Sequence, residues 1–349
     1  MYTNDHAEPI RPRLYNETSR EELYRSAERD TRRRRTLSFY RYVAIEDPPA
    51  FRDRLYADLS ALDVLGRVYV SREGVNAQIS VPSENAEALE ASIDLTPELC
   101  GVRLNWAIEE SRFSFVMLKV RVRDRIVADG ITDPSFDVTA SGDHLSAAEF
   151  NELALRPETT VVDMRNHYES EVGHFKGAVL PPVDTFRESL PVVEKLLATK
   201  KDQPVIMYCT GGIRCEKAGA WLKHRGFTKV FQLDGGIIEY ARQATEQGLE
   251  NRFIGKNFVF DERLGERITD DVIAHCHQCG APCDDHTNCA NDACHLLFIQ
   301  CRECAATMEG CCSEECRSFI HLPIEEQRSL RKGRTVARPN HHKSRSRHS

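Results

Sequence analysis

A cysteine at the end of an apolar run, followed at once by paired glycines, is a combination of residues that can do chemistry. Here it is Val205-Ile-Met-Tyr-Cys209-Thr-Gly211-Gly212-Ile213-Arg214-Cys215, running into Glu216-Lys-Ala-Gly-Ala-Trp221-Leu-Lys-His224. The pattern predicts a strand, a tight loop and a helix. Backbone N–H groups of Gly211, Gly212 and Ile213 then converge at a helix N-terminus and make a binding nest for negative charge. A Cys209 thiolate sits in that field, so its pKa falls from ~8.5 towards neutrality and the thiol becomes a nucleophile or a persulfide carrier. The bland alternative is a buried structural cysteine. Arg214 lies one position too early for the Cys-x5-Arg spacing that phosphate cleavage requires, and Cys215 occupies that position. Cys215 either resolves a persulfide or disulfide on Cys209 or is only a small residue opening the helix.

The elements that must position this loop alternate. Strands are expected at 160–164, 204–209 and 229–233, with helices at 184–197, 216–224 and 237–247, which predicts a parallel, doubly wound α/β domain over 145–250. Ligands in such sheets bind beyond the carboxyl ends of the strands, where Cys209 falls. Asp163 and Arg165 end another strand and can reach the same crevice, as catalytic groups or as a pair holding the loop.

Upstream, alternation and helical spacing over 36–128 give strand, helix, strand, strand, helix, strand, a ferredoxin-like α+β module. Ser83 is the expected N-cap of its second helix. Lys119-Val-Arg121-Val-Arg123-Asp-Arg125 places four bases at alternate positions; on a strand they share one face and can meet a phosphate backbone, or simply face solvent. Residues 1–35 read as a polar extension, 129–144 as a linker, and 321–349 as a basic, disordered tail.

Ten of the thirteen cysteines crowd between Cys276 and Cys316. Two Cys-x2-Cys pairs, Cys276/Cys279 and Cys301/Cys304, have zinc-ribbon spacing. Cys283, Cys289, Cys294, Cys312 and Cys316, with Cys311 and nearby histidines in reserve, can build a second site. One or two structural Zn2+ ions are expected over 251–320, with an iron–sulfur cluster as the competing reading. Net charge is −7, but Arg331, Lys332, Arg334, Arg338, Lys343, Arg345 and Arg347 in the tail have no acidic neighbour, and Arg32–Arg35 form a second basic run. Such arms on an acidic body suit a polyanion, or are merely solvated. With neither a long apolar run nor a signal-peptide pattern, a cytoplasmic protein is expected.

The Cys209 loop, together with Val161-Val-Asp163-Met-Arg165-Asn-His-Tyr-Glu169, Gly173-His-Phe-Lys-Gly-Ala178 and Asp234-Gly-Gly236, resembles the rhodanese domain. Adding Ser38-Phe-Tyr-Arg-Tyr42, Gly74-Val-Asn-Ala-Gln-Ile-Ser80, Lys119 through Gly130, Phe253-Ile-Gly-Lys-Asn-Phe-Val-Phe-Asp-Glu-Arg263 and His275-Cys-His-Gln-Cys-Gly280, residues 36–320 resemble the rhodanese-domain tRNA uridine hydroxylases. That resemblance implies an acylphosphatase-like first domain, a rhodanese domain and a Cys-rich end. It further implies oxygen-dependent hydroxylation of the wobble uridine to 5-hydroxyuridine through Cys209, with molecular oxygen as co-substrate and tRNA as partner, neither DNA nor membrane being involved. The electron source is unknown. A plain sulfurtransferase working through a Cys209 persulfide is the alternative, and a non-catalytic RNA-binding or redox-sensing protein the third reading.

Overall fold

The computed structural model describes residue 14, residues 18–108 and residues 114–331. The rest of the expected N-terminal extension, Phe113 and the basic tail beyond 331 lie outside the described residues. Within the extension, Arg20–Arg29 is a helix closed by a capping box between Ser19 and Glu22. Part of the expected disordered tail is also helical, at Ile324–Arg331. Among the described residues no helix is long and apolar enough to cross a membrane.

Two units are described separately. In the first, strands Arg34–Tyr42, Gly74–Pro82, Leu65–Ser71 and Leu118–Val122 lie side by side in that order. The first three run antiparallel to their neighbours and the last is parallel to Leu65–Ser71. Alternation sends Leu37, Phe39, Val68, Val70, Ala77, Ile79 and Val120 inward, with Phe51, Leu55 and Leu59 of helix Pro48–Ala61 and Leu89 and Ile93 of helix Ala86–Leu95 also in the core. Each of these side chains other than Ala77 contributes about 1.5–3 kcal/mol by leaving water. Gly74 opens its strand at φ +143°, where a Cβ would overlap the Arg41 carbonyl oxygen. Ser83 is not the expected N-cap: it starts a 3-10 turn, and its hydroxyl donates to the Arg33 carbonyl, so the helix begins at Ala86. The strand expected at 104–108 shortens to Asn105–Trp106.

In the second unit, Asp143–Leu145, Val230–Leu233, Val205–Tyr208 and Thr160–Asp163 form a parallel sheet in that order. Val205–Tyr208 is buried on both faces, as an unbroken apolar run requires. Val205 and Met207 pack with Phe186, Leu190 and Val193 of helix Phe186–Leu196 and with Ala218 and Leu222 of helix Ile213–His224. Ile206 and Tyr208 pack with Phe150 of helix Ala147–Ala154 and Ile237 and Tyr240 of helix Gly236–Gln247. The stretch expected to be a linker is packed: Ile131 joins this core, and Asp129 pairs with Lys217, both side chains fully enclosed. Beyond the sheet, Phe253–Asn257 pairs with Gly173–Phe175 and Glu266–Arg267, and His286–Asn288 with Leu297–Ile299. The latter hairpin sits among the cysteines.

Candidate active site and cysteine centres

Cys209 follows the central strand, and Gly212 turns the chain at φ +100°, a conformation that costs an L side chain but not glycine. The Gly212 N–H thereby donates to Cys209 Sγ at 3.1 Å. The residue is 1% exposed. Burial pushes the thiol up, but the hydrogen bond from Cys215, the Arg214 charge and the N–H groups of Arg214 and Gly212 outweigh it, bringing Cys209 down to about 6. Cys215, 0% exposed, moves the opposite way, well above its ordinary value, through burial and its bond to Cys209. At neutral pH the pair is therefore a thiolate beside a thiol donor.

Arg214 faces a partner that local sequence reading did not assign. Its guanidinium forks onto Glu169, at 2.6 Å to Oε1 and 2.9 Å to Oε2, and reaches Thr210 Oγ1 at 3.5 Å. Glu169 is wholly buried and also accepts the Asn166 N–H at 2.9 Å. The only signal for this pairing was Glu169's place in the Asp163–Glu169 motif. Arg214→Gln removes the cation beside the thiolate and strands a buried carboxylate, at a cost of about 3–5 kcal/mol. Wild-type Cys209 alkylation should level off above about pH 6, and this variant's inflection should move upward; mass-spectrometric labelling across pH reads it, and an unmoved inflection refutes the assignment.

Asp163 ends the strand and Arg165 follows two residues beyond it, but both are fully enclosed: the guanidinium takes both Asp163 oxygens and the Gly173 carbonyl at 2.6 Å. The expected Gly-Gly turn lies directly behind the loop. Ile237 N–H donates to the Cys209 carbonyl at 3.0 Å, and a Cβ on Gly236 would overlap the Cys209 and Thr210 carbonyl oxygens. Gly211 and Ile213 remain half-exposed beside the buried Gly212. Lys119, Arg121 and Arg123 are exposed as expected, but the strand ends at Val122, so Arg125 leaves it and pairs with Glu73 at 3.9 Å.

The cysteines gather into two sets of four, Cys276/Cys279/Cys301/Cys304 and Cys289/Cys294/Cys312/Cys316, each with its sulfurs within 4.8 Å of one another. Sulfur separations of 3.6 Å for Cys279–Cys301 and 3.7 Å for Cys294–Cys312 match the edge of an M–S4 tetrahedron with ~2.3 Å bonds. Backbone N–H groups of Cys301 and Cys312 donate to the sulfurs of Cys276 and Cys289, orienting them as outer-shell donors do. The pairs alternate along the chain between the two sets. Cys283 belongs to neither and packs with Tyr168, Val172 and Phe258 instead. His277 is likewise not in a set; its Nε2 meets Glu171 Oε1 at 2.8 Å, next to the short helix His167–Ser170 that carries Glu169.

Family models match along the chain: "UPF0176 acylphosphatase like domain" over residues 34–126, "Rhodanese-like domain" over 146–243 and "Rhodanase C-terminal" over 254–317. The protein named tRNA uridine(34) hydroxylase from Cronobacter sakazakii is 56% identical over 96% of this chain and 97% of its own length. Those of the same name from Pectobacterium carotovorum and Photorhabdus laumondii are 57% identical over 93% of the chain and 91% of their length, and 55% identical over 96% of both. With that identity along nearly its whole length, and with the cysteine loop in place, the chain belongs to the tRNA uridine(34) hydroxylase family.

Proposed function

We propose that this protein hydroxylates uridine 34 of tRNA at C5 of uracil, giving 5-hydroxyuridine, with Cys209 as the reacting group. The observation that carries the reading is a thiolate poised at about 6 inside an N–H cradle, in a member of this family. C5 of uracil is a poor nucleophile until C6 is attacked; addition of the Cys209 thiolate there makes C5 electron-rich enough to meet an oxidant. Molecular oxygen supplies one atom to C5, and the other leaves as water, which takes two electrons and two protons from a donor outside this chain; loss of the remaining C5 proton then breaks the C6–S bond, releasing the Cys209 thiolate and restoring the C5–C6 double bond. Cys215 supplies the hydrogen bond that steadies the thiolate, and Arg214, held by Glu169, the balancing charge. Asp163 and Arg165 brace the neighbouring strand end, while Gly211, Gly212 and Ile213 border the approach to the sulfur.

The two cysteine sets suit Zn2+: four thiolates at tetrahedral spacing satisfy it, and a region this poor in large apolar residues needs such staples. The exposed Lys119, Arg121 and Arg123 side chains suit phosphate contacts, with Arg125 just beyond the strand end; the relatives' name points to tRNA, not DNA, as the nucleic acid they meet, and to the cytoplasm as the place of action. Nucleoside mass spectrometry of total tRNA from cells lacking the protein tests the reading. The 5-hydroxyuridine derivatives should disappear and return with the intact gene; unchanged tRNA, together with sulfide or thiocyanate formed from thiosulfate without RNA, would make the chain a sulfurtransferase.

A further inference from the structure

The sheet of the first unit has a second face, opposite its helices, whose composition the hydroxylation chemistry leaves unexplained. Register places Tyr40 beside Asn76, Asn76 beside Tyr69 and Tyr69 beside Arg121, one continuous row across four strands. The adjacent row is Ser38, Gln78, Arg67 and Lys119. Arg123 follows at the edge with its guanidinium 5.7 Å from the centre of the Tyr69 ring, and Tyr42 lies edge-on to Tyr40 at 6.2 Å. Arg121 and Arg123 are exposed and Tyr69, Asn76 and Gln78 half-buried, whereas the alternate residues Phe39, Val68, Val70, Ala77 and Ile79 form the core. Aromatic rings flanked by guanidinium groups on one strand face give stacking surface and phosphate attraction together, the combination that binds unpaired nucleotides. The amides are held in place: Asn76 Nδ2 donates to the Ile126 carbonyl at 3.1 Å, and Gln78 Nε2 to Asn76 Oδ1 at 2.8 Å.

We propose that this face is a stacking platform for unpaired bases of an RNA loop, with Tyr69 and Tyr40 taking the bases and Arg121 and Arg123 the adjoining phosphates. This rests on the reading of tRNA as substrate and adds to it: recognition runs through single-stranded nucleotides rather than a duplex. Duplex RNA shows proteins its shape and phosphates and keeps its bases stacked on one another, so a tyrosine row gains nothing from it. An anticodon loop presents unpaired bases.

Affinity is measured for an anticodon stem-loop and for a fully paired hairpin of equal length, at two salt concentrations. Tyr69→Ala should weaken the stem-loop about tenfold or more and leave the hairpin unchanged, while Tyr69→Phe binds both as wild type does. Arg121→Gln should weaken both RNAs alike and lower the salt slope by about one. Retention of stem-loop affinity by both Tyr69→Ala and Tyr40→Ala overturns the platform, as does an equal loss of both RNAs in Tyr69→Ala. Wild-type protein that binds neither RNA overturns the tRNA reading itself, which is a distinct result.

Discussion

Cys209→Ala should leave tRNA without the added hydroxyl, a loss of roughly a thousandfold or more, while Cys215→Ser keeps activity within about tenfold. The asymmetry follows from the loop. Cys209 is the sulfur the cradle serves, with the Gly212 N–H aimed at it, and Cys215 does not take its place: its thiol is fully buried, and burial is the largest cause that holds it above its ordinary pKa. Serine at 215 still offers a hydroxyl to the Cys209 thiolate. Alanine at 215 does not, so the Cys209 pKa rises and the rate at low pH falls. A resolving thiol behaves otherwise: Cys215→Ser would then stop turnover after one cycle. Nucleoside analysis of tRNA incubated with each variant separates these outcomes, and full activity in Cys209→Ala would remove the thiolate from the chemistry.

What could be read in the sequence is what neighbouring residues decide between themselves. Cysteine, glycine, glycine and a following helix fix the loop's conformation locally, so Cys209 and the turn at Gly212 were visible in one line of text. Glu169 stands 45 residues before Arg214 and meets it only because two parallel strands place their ends together. Asp129 falls at the start of a stretch whose Asp133-Pro and Ser141-Gly read as linker, yet it is the buried counter-ion of Lys217, 88 residues away. A buried cation needs a partner, but nothing local says that Lys217 is buried. The basic alternation from Lys119 was legible; its tyrosine neighbours required the register of three other strands. The two Cys-x2-Cys pairs were evident in the same way and do share one site, whereas the exclusion of Cys283 from the second set was not.

That grouping makes the cysteine region one cooperative object. The first and third cysteine pairs form one set and the second and fourth the other, so the chain crosses between sites three times. Each site therefore closes a loop that contains one segment of the other. Chelating the metal from the native protein should therefore unfold 276–316 as a unit, at a cost on the order of 10 kcal/mol per site, because the small cores around Phe258 and Phe298 are completed by cysteines. Elemental analysis should find two zinc ions per chain, still two in Cys283→Ser, and at least one fewer in Cys276→Ser or Cys294→Ser. Hydrogen exchange that stays protected over 276–316 after chelation would defeat this picture, as would metal lost from Cys283→Ser alone. The loss should also extend beyond the region. His277 sits between the ligand positions Cys276 and Cys279 and holds Glu171, and Glu171 ends the short turn from which Glu169 reaches Arg214. When that knuckle loosens, the carboxylate that fixes Arg214 loses its anchor, and the Cys209 thiolate loses a charge held in place beside it. Chelated enzyme should accordingly show the inflection of Cys209 alkylation moved upward, in the same direction as Arg214→Gln, although no cysteine of either set belongs to the loop.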